Sequence, residues 1–186
     1  HPEEAKENYE AALILRRELA DDGLTANTLS LLAGVYVRLE DDAAAVDAYT
    51  DAIDLYAAAE FEPKRLTNME LLGRYHTTMG RFDEASDLLT DAVNARRVLG
   101  DDLRTAASLS YLAGLYSKNG DDVNALRVYD ELIGILESGE NSAQLATQLE
   151  ALARYHRMKG RVEEALPRIE QALVLRRQLN QPNKTL

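Results

Sequence analysis

A leucine recurs at one constant interval in this chain, at Leu32, Leu72, Leu112 and Leu152, and its surroundings recur with it. Each is followed by a small residue (Ala33, Gly73, Ala113, Ala153). Three positions further comes a ring (Tyr36, His76, Tyr116, His156), and nine beyond the ring an alanine (Ala45, Ala85, Ala125, Ala165). A fixed period of this length means one supersecondary unit used several times, each copy burying its apolar face against the next. Such stacks present extended surfaces in place of one enclosed catalytic pocket. Length then counts repeats, and the 186 residues predict one elongated domain.

Within each unit the apolar residues fall at helical spacing. Leu29, Leu32, Ala33 and Tyr36 make one stripe and Val46, Tyr49, Ile53 and Tyr56 another, so each unit reads as a helical hairpin. Short breaks at 40–42, 80–83, 120–122 and 160–161 divide the two helices. Gly80, Gly120 and Gly160 suit the left-handed end of a first helix, and an aspartate is available to cap the second helix in three of these breaks, Asp83 included. Longer breaks at 20–25, 61–65, 100–103, 138–142 and 180–183 are expected between units. The β-branched residues are scattered and no strand is expected.

Leu72-Gly73-x-x-His76-x-x-x-Gly80 with Ala85 and Ala92, and Leu112-Ala113-x-x-Tyr116-x-x-x-Gly120 with Ala125, carry a resemblance to the tetratricopeptide repeat family. The family's tryptophan position holds Leu29, Met69, Leu109 and Leu149, and Leu132 replaces the second alanine of one unit. A period of 40, against about 34 for the family, is similar to the longer repeats of kinesin light chains and their bacterial relatives. The resemblance implies an all-α solenoid, a right-handed superhelix of antiparallel helix hairpins. A half repeat would span 3–25 and full repeats 26–65, 66–105, 106–145 and 146–185. It also implies a non-catalytic scaffold that binds a protein or peptide, with the first helix of each hairpin lining the concave side.

On that expectation the groove would be lined by Asn27, Ser30, Leu31, Gly34 and Arg38, then by Thr67, Glu70, Leu71, Arg74 and Thr77. Tyr111, Gly114, Ser117 and Lys118 follow in the third unit, and Thr147, Glu150, Arg154 and Arg157 in the fourth. Five of the lining residues are basic and two acidic, on a chain whose net charge is −11, which favours an acidic peptide. Alternatively, Glu70 with Arg74 and Glu150 with Arg154 are plain i,i+4 pairs on exposed faces. Gly34 and Gly114 sit inside helices beside a position already filled by alanine. An arginine from the next hairpin lying over them, or close approach of a ligand, would account for them. The lysine, asparagine and arginine clamp by which some family members hold a chaperone tail is missing, because Ser30, Gly34, Leu71, Ala107 and Tyr111 stand in its places.

A second period of 80 overlies the first. Arg16-Arg17 through Gly34-Val35-Tyr36 returns as Arg96-Arg97 through Gly114-Leu115-Tyr116, and Arg74-Tyr75-His76 returns as Arg154-Tyr155-His156. Odd and even units differ, so any ligand subsite should recur on alternate hairpins.

Other chemistry finds little footing. There is no nucleophile motif or phosphate loop, and the absence of cysteine excludes thiol catalysis and cysteine-bound zinc. His76 and His156 occupy the packing ring position, two repeats apart, without further ligands at metal spacing. Asp41-Asp42 and Asp101-Asp102 lack the loop that holds calcium, and read as caps. No cofactor or metal is expected. The acidic balance, with pI near 4.8, opposes direct nucleic-acid binding, and no apolar run is long enough for membrane insertion. A soluble, cytoplasmic and, from its arginine and alanine usage, bacterial protein is expected. The chain opens His1-Pro2, its first helix matches only the second half of a repeat, and Leu186 matches the first position of another. Both ends therefore read as cut. Leu166, Ile169, Leu173 and Leu175 have no evident cover, which predicts homo-oligomerisation or a longer chain. The alternative function is a ligand-sensing or oligomerisation domain of a larger bacterial signalling or transcription regulator.

Overall fold

The structure, a computed structural model, describes residues 1–139 and 141–180. Among these residues there are α-helices and no strands. The helices are α1 (Pro2–Glu18), α2 (Asp22–Arg38), α3 (Asp42–Ala58), α4 (Glu62–Met79), α5 (Phe82–Val98), α6 (Asp102–Asn119), α7 (Asp122–Ser138), α8 (Ser142–Met158) and α9 (Val162–Leu179). Each has 17 or 18 residues, and each starts at the same interval, half a repeat, after the one before. The expected longer breaks between units are therefore absent: α2, α4, α6 and α8 begin earlier than the polar sequence suggested. The residues misread as loop form first turns. Glu62-Pro63 and Asp102 open helices, where proline's missing N–H costs nothing and a carboxylate meets the positive end of the helix dipole. The expected start of a unit at Leu186 and the break at 180–183 fall outside the described residues, apart from Asn180.

Helix ends obey the same half-repeat rhythm. Gly80, Gly100, Gly120 and Gly160 have φ between 67° and 78°, the left-handed region that glycine enters without a side-chain clash. Ala20, Glu40 and Glu60 hold the equivalent places at φ of 52°, 58° and 55°, where a Cβ is strained. At the other end, Asp21, Asp41, Asp101 and Asp121 each accept a hydrogen bond from the backbone N–H three positions on, at 2.8 to 3.2 Å. Asp83 is no cap; it lies inside the first turn of α5. Aspartate thus caps two of the second helices, and two of the first.

The chain divides into two compact units, His1–Ala95 and the part from Arg96 onward. In the first, α1 packs on α2, α2 on α3 and α3 on α4. In the second, α6 packs on α7, α7 on α8 and α8 on α9. The recurring landmarks are the buried seams of these contacts. All four leucines of the pattern are at most 4% exposed, and Ala45, Ala85, Ala125 and Ala165 at most 3%. Burying one such leucine is worth about 2 kcal/mol. In the first unit Ala26, Leu29, Ala33, Tyr49, Ala52, Tyr56 and Leu72 form one cluster, edged by Leu13, Val46, Ile53 and Leu71. In the second, Leu109, Leu112, Val128, Tyr129, Leu132, Leu149 and Leu152 are buried.

The small residue of the pattern has a direct physical cause at Gly73. A Cβ there would stand 2.7 Å from Leu89 Cγ, so α4 and α5 approach through the missing side chain. On α9, Leu166, Ile169 and Leu173 are about half exposed, as expected from their lack of cover, and so is Val174; Leu175 is half-buried.

Candidate binding surface on the first helices

In the first unit the candidate residues lie on α2 and α4. Leu31, Arg38 and Arg74 are exposed, and Asn27, Ser30, Gly34, Thr67, Leu71 and Thr77 half-buried. Lys64 at the start of α4 reaches back to Asn27, donating from Nζ to Oδ1 at 3.4 Å, and its ammonium stands 5.6 Å from the centre of the Tyr56 ring. Beside them is an open hollow of about 420 Å³ lined by Asp21, Leu24, Asn27, Tyr56, Phe61 and Lys64. Phe61 and Lys64 were missed in the sequence because they were read as loop.

In the second unit, on α6 and α8, Gly114, Lys118, Thr147, Glu150, Arg154 and Arg157 are exposed or nearly so, and Tyr111 and Ser117 half-buried. The threonine hydroxyls of Thr67, Thr77 and Thr147 each donate to the carbonyl four positions earlier in their own helix, at 2.8 to 3.0 Å.

Of the two acidic candidates, Glu150 departs from the expected i,i+4 pairing, and Glu70 from the expected exposure. Glu70 is only 7% exposed, so it does not sit on an open helix face. Glu150 turns to α9, accepting from Arg176 Nε at 3.1 Å, and Arg176 Nη2 also donates to Thr147 at 2.9 Å. Arg176 is the third member of a series with Arg16 and Arg96. Arg16 donates to Leu24 O at 3.0 Å and to the Thr28 hydroxyl, and Arg96 is buried. The basic candidates Arg38, Arg74, Lys118, Arg154 and Arg157 are all exposed.

Neither helix-interior glycine is covered by an arginine. A Cβ on Gly34 would meet only the Tyr49 hydroxyl, at 3.9 Å, and one on Gly114 would meet nothing within 4 Å. Tyr49 and Tyr129 come from the second helices α3 and α7, and both are buried. Burial pushes both phenols above their ordinary pKa. The positive charges of Arg74 and Arg154 pull the other way, joined at Tyr129 by the neighbouring Ser117 hydroxyl. The sequence placed Tyr49 in a packing stripe and so concealed its position beneath the first helices.

His76 and His156 are 7% and 8% exposed, and the Nδ1 of each is buried without a hydrogen-bond partner. Burial lowers the pKa of both. At His76 the charge of Arg81 adds to that shift; at His156 Glu164 opposes it and Arg161 adds to it. Among the described residues no group of three or more His, Asp or Glu is arranged to hold a metal ion, and no helix is long and apolar enough to cross a membrane.

Comparison with known proteins agrees with this architecture. Two profiles described as tetratricopeptide repeat match residues 2–58, and residues 67–102 and 145–183. The chain belongs to the tetratricopeptide repeat family. Among solved structures it is similar to BtubC (BKLC) from P. vanneervenii, at 23% identity and a TM-score of 0.83, covering 100% of this chain and 78% of that one. It is also similar to a candidate kinesin light chain of Podosopora anserina with nearly identical TPR-like repeats, at 21% identity and a TM-score of 0.81, covering 97% and 90%. A Rap protein complexed with competence and sporulation factor aligns at 18% identity and a TM-score of 0.74, over 91% of this chain and 47% of that one. No curated protein matches the sequence. The fold is that of a repeat scaffold, an architecture that is in general non-catalytic.

Proposed function

We propose that this chain is a non-catalytic binding module whose first helices hold a peptide or protein segment, with acidic side chains meeting Arg74 in the first unit, or Lys118, Arg154 and Arg157 in the second. One observation carries the reading: Arg74, Arg154 and Arg157 are exposed on the first helices of a chain whose net charge is −11. A locally basic face in an acidic body attracts carboxylates selectively, and arginine's planar fork engages them with two hydrogen bonds. Leu71 and Tyr111, half-buried on the same helices, supply apolar contact.

Selection from a displayed random-peptide library tests the proposal. The wild-type chain enriches peptides rich in Asp and Glu, and a chain with Arg74→Glu and Arg154→Glu loses them while keeping its helical circular dichroism. Enrichment of the same peptides by both chains contradicts the assignment.

A second reading, a ligand-sensing segment of a larger bacterial regulator, draws support from the likeness to the Rap protein in complex with its factor. A DNA-binding or catalytic domain encoded in the same gene would favour it; a gene encoding only repeats would count against it.

A further inference from the structure

We propose that the hollow between the end of α7, the start of α8 and the second half of α9 is a docking site for a partner segment that carries aliphatic and basic side chains. None of the residues assigned to the first-helix binding face lines it, and it does not depend on that reading.

The repeat makes this hollow more than once, so its chemistry can be compared position by position. In the first unit an open hollow of about 450 Å³ is lined by Arg17, Thr25, Leu29, Asp51, Asp54 and Leu55. Three repeats later the same positions hold Glu137, Leu145, Leu149, Gln171, Val174 and Leu175, and these line a hollow of about 510 Å³. The two leucines belong to the packing pattern and are kept. Each of the other four changes removes a charge or a hydroxyl, or reverses a charge. Pro167, where the first unit has Asp47, adds another apolar wall. It is exposed and lies inside α9, where it lacks the N–H that would bond to the carbonyl of Glu163. A proline that weakens its own helix, beside a valine that is 51% exposed, gains nothing from packing within the chain; a partner covering both would account for them.

Charge decides what covers the hollow. Glu137 and Glu170, both exposed, stand at its edge, and none of the described residues that line it is basic. Among the described residues neither carboxylate has an ion pair or a hydrogen-bond partner. A segment rich in Asp and Glu is repelled there. Lysine or arginine beside aliphatic side chains matches both the apolar walls and the two carboxylates. The volume falls within the range of about 300–1,000 Å³ that ligand sites occupy.

The test uses the full chain, labelled with ¹⁵N and titrated with an end-blocked Leu-Lys-Lys-Leu peptide, with Leu-Glu-Glu-Leu and Ser-Lys-Lys-Ser as controls. The Gln171 and Val174 amide signals are expected to shift and saturate under Leu-Lys-Lys-Leu, and each control should bind at least about tenfold more weakly. Val174→Asp, which installs the first unit's residue at an exposed site, should weaken binding about tenfold, and so should Glu137→Arg with Glu170→Arg. Arg74→Glu with Arg154→Glu should leave it unchanged, which keeps this site distinct from the first-helix face. Equal binding of Leu-Glu-Glu-Leu would overturn the charge assignment, and equal binding of Ser-Lys-Lys-Ser would reduce the response to surface attraction alone. A response that survives Val174→Asp would place the peptide elsewhere. Sedimentation in which the free chain self-associates and Val174→Asp makes it monomeric would give the hollow to a second copy and overturn a foreign partner.

Discussion

The phenol of Tyr155 on α8 donates to Oδ1 of Asp122, the first residue of α7, at 2.6 Å; two repeats earlier Tyr75 makes the same bond to Asp42. Each bond ties the start of a second helix to the following first helix, across the junction between two hairpins. Tyr36 joins α2 to Glu10 of α1 at 2.9 Å by a different partner. Burial, then the carboxylate it faces, pushes the phenols of Tyr75 and Tyr155 up to about 12.

Asp122 also accepts from Lys159 and Arg161, at 2.6 and 2.7 Å. Lys159 first, and Tyr155 next, hold its carboxyl at about 2, below the ordinary 3.8. A depressed acid favours the folded state wherever it is ionised. Its contribution is therefore complete above about pH 4 and is lost as the pH falls through about 2. Asp122→Asn should melt below the wild type at pH 6, with the gap closing as the pH drops below about 4. A gap that stays constant from pH 6 down to about 2 contradicts this role.

The buried histidines add a separate pH dependence. Because burial lowers the pKa of His76 and His156, the unfolded chain binds more protons than the folded one below the ordinary value of 6.5. Stability is then full above that value and declines as the pH falls through the lowered ones. Denaturant titrations between pH 8 and 5 should show this slope, and His76→Gln with His156→Gln should flatten it. An unchanged slope in the double variant overturns the assignment.

Gly73 and Gly114 should respond oppositely to alanine. At Gly114 the new methyl meets nothing, and the helix gains about 1 kcal/mol. At Gly73 it collides with Leu89 Cγ, and overpacking of about 1–3 kcal/mol outweighs the same gain. Thermal melts should rise for Gly114→Ala and fall for Gly73→Ala; movement in one direction for both would contradict the close approach of α4 and α5.

Glu40 and Glu60 hold left-handed helix ends that glycine holds elsewhere. Glu40→Gly and Glu60→Gly should each stabilise by about 0.5–1 kcal/mol, the relief of side-chain strain less the greater freedom of glycine in the unfolded chain. Lower melting temperatures for both would count against that strain.

The repeat made much of this fold legible in advance. Leu32 and Ala45 could be identified as seam residues because each recurs in every later unit, and Gly80, Gly120 and Gly160 because one backbone conformation is required at each. Helix starts were misplaced where polar first turns, such as Glu62-Pro63-Lys64, have the composition of loops. The surface was harder to read. The burial of Glu70 depends on neighbouring helices, and Tyr49 serves the core with its ring while its hydroxyl reaches Gly34. Arg176 did carry a signal, the third copy of the paired arginines at 16–17 and 96–97, whose partners only packing could supply.

Whether the first helices hold the ligand can be decided by site-specific photocrosslinking. A benzophenone side chain placed at Leu31 or Thr147 on the first helices, and at Asp54 or Glu137 on the second, is irradiated with a library-selected acidic peptide. Adducts are expected from Leu31 and Thr147 and none from Asp54 or Glu137; adducts from the second-helix positions alone would contradict a first-helix binding face.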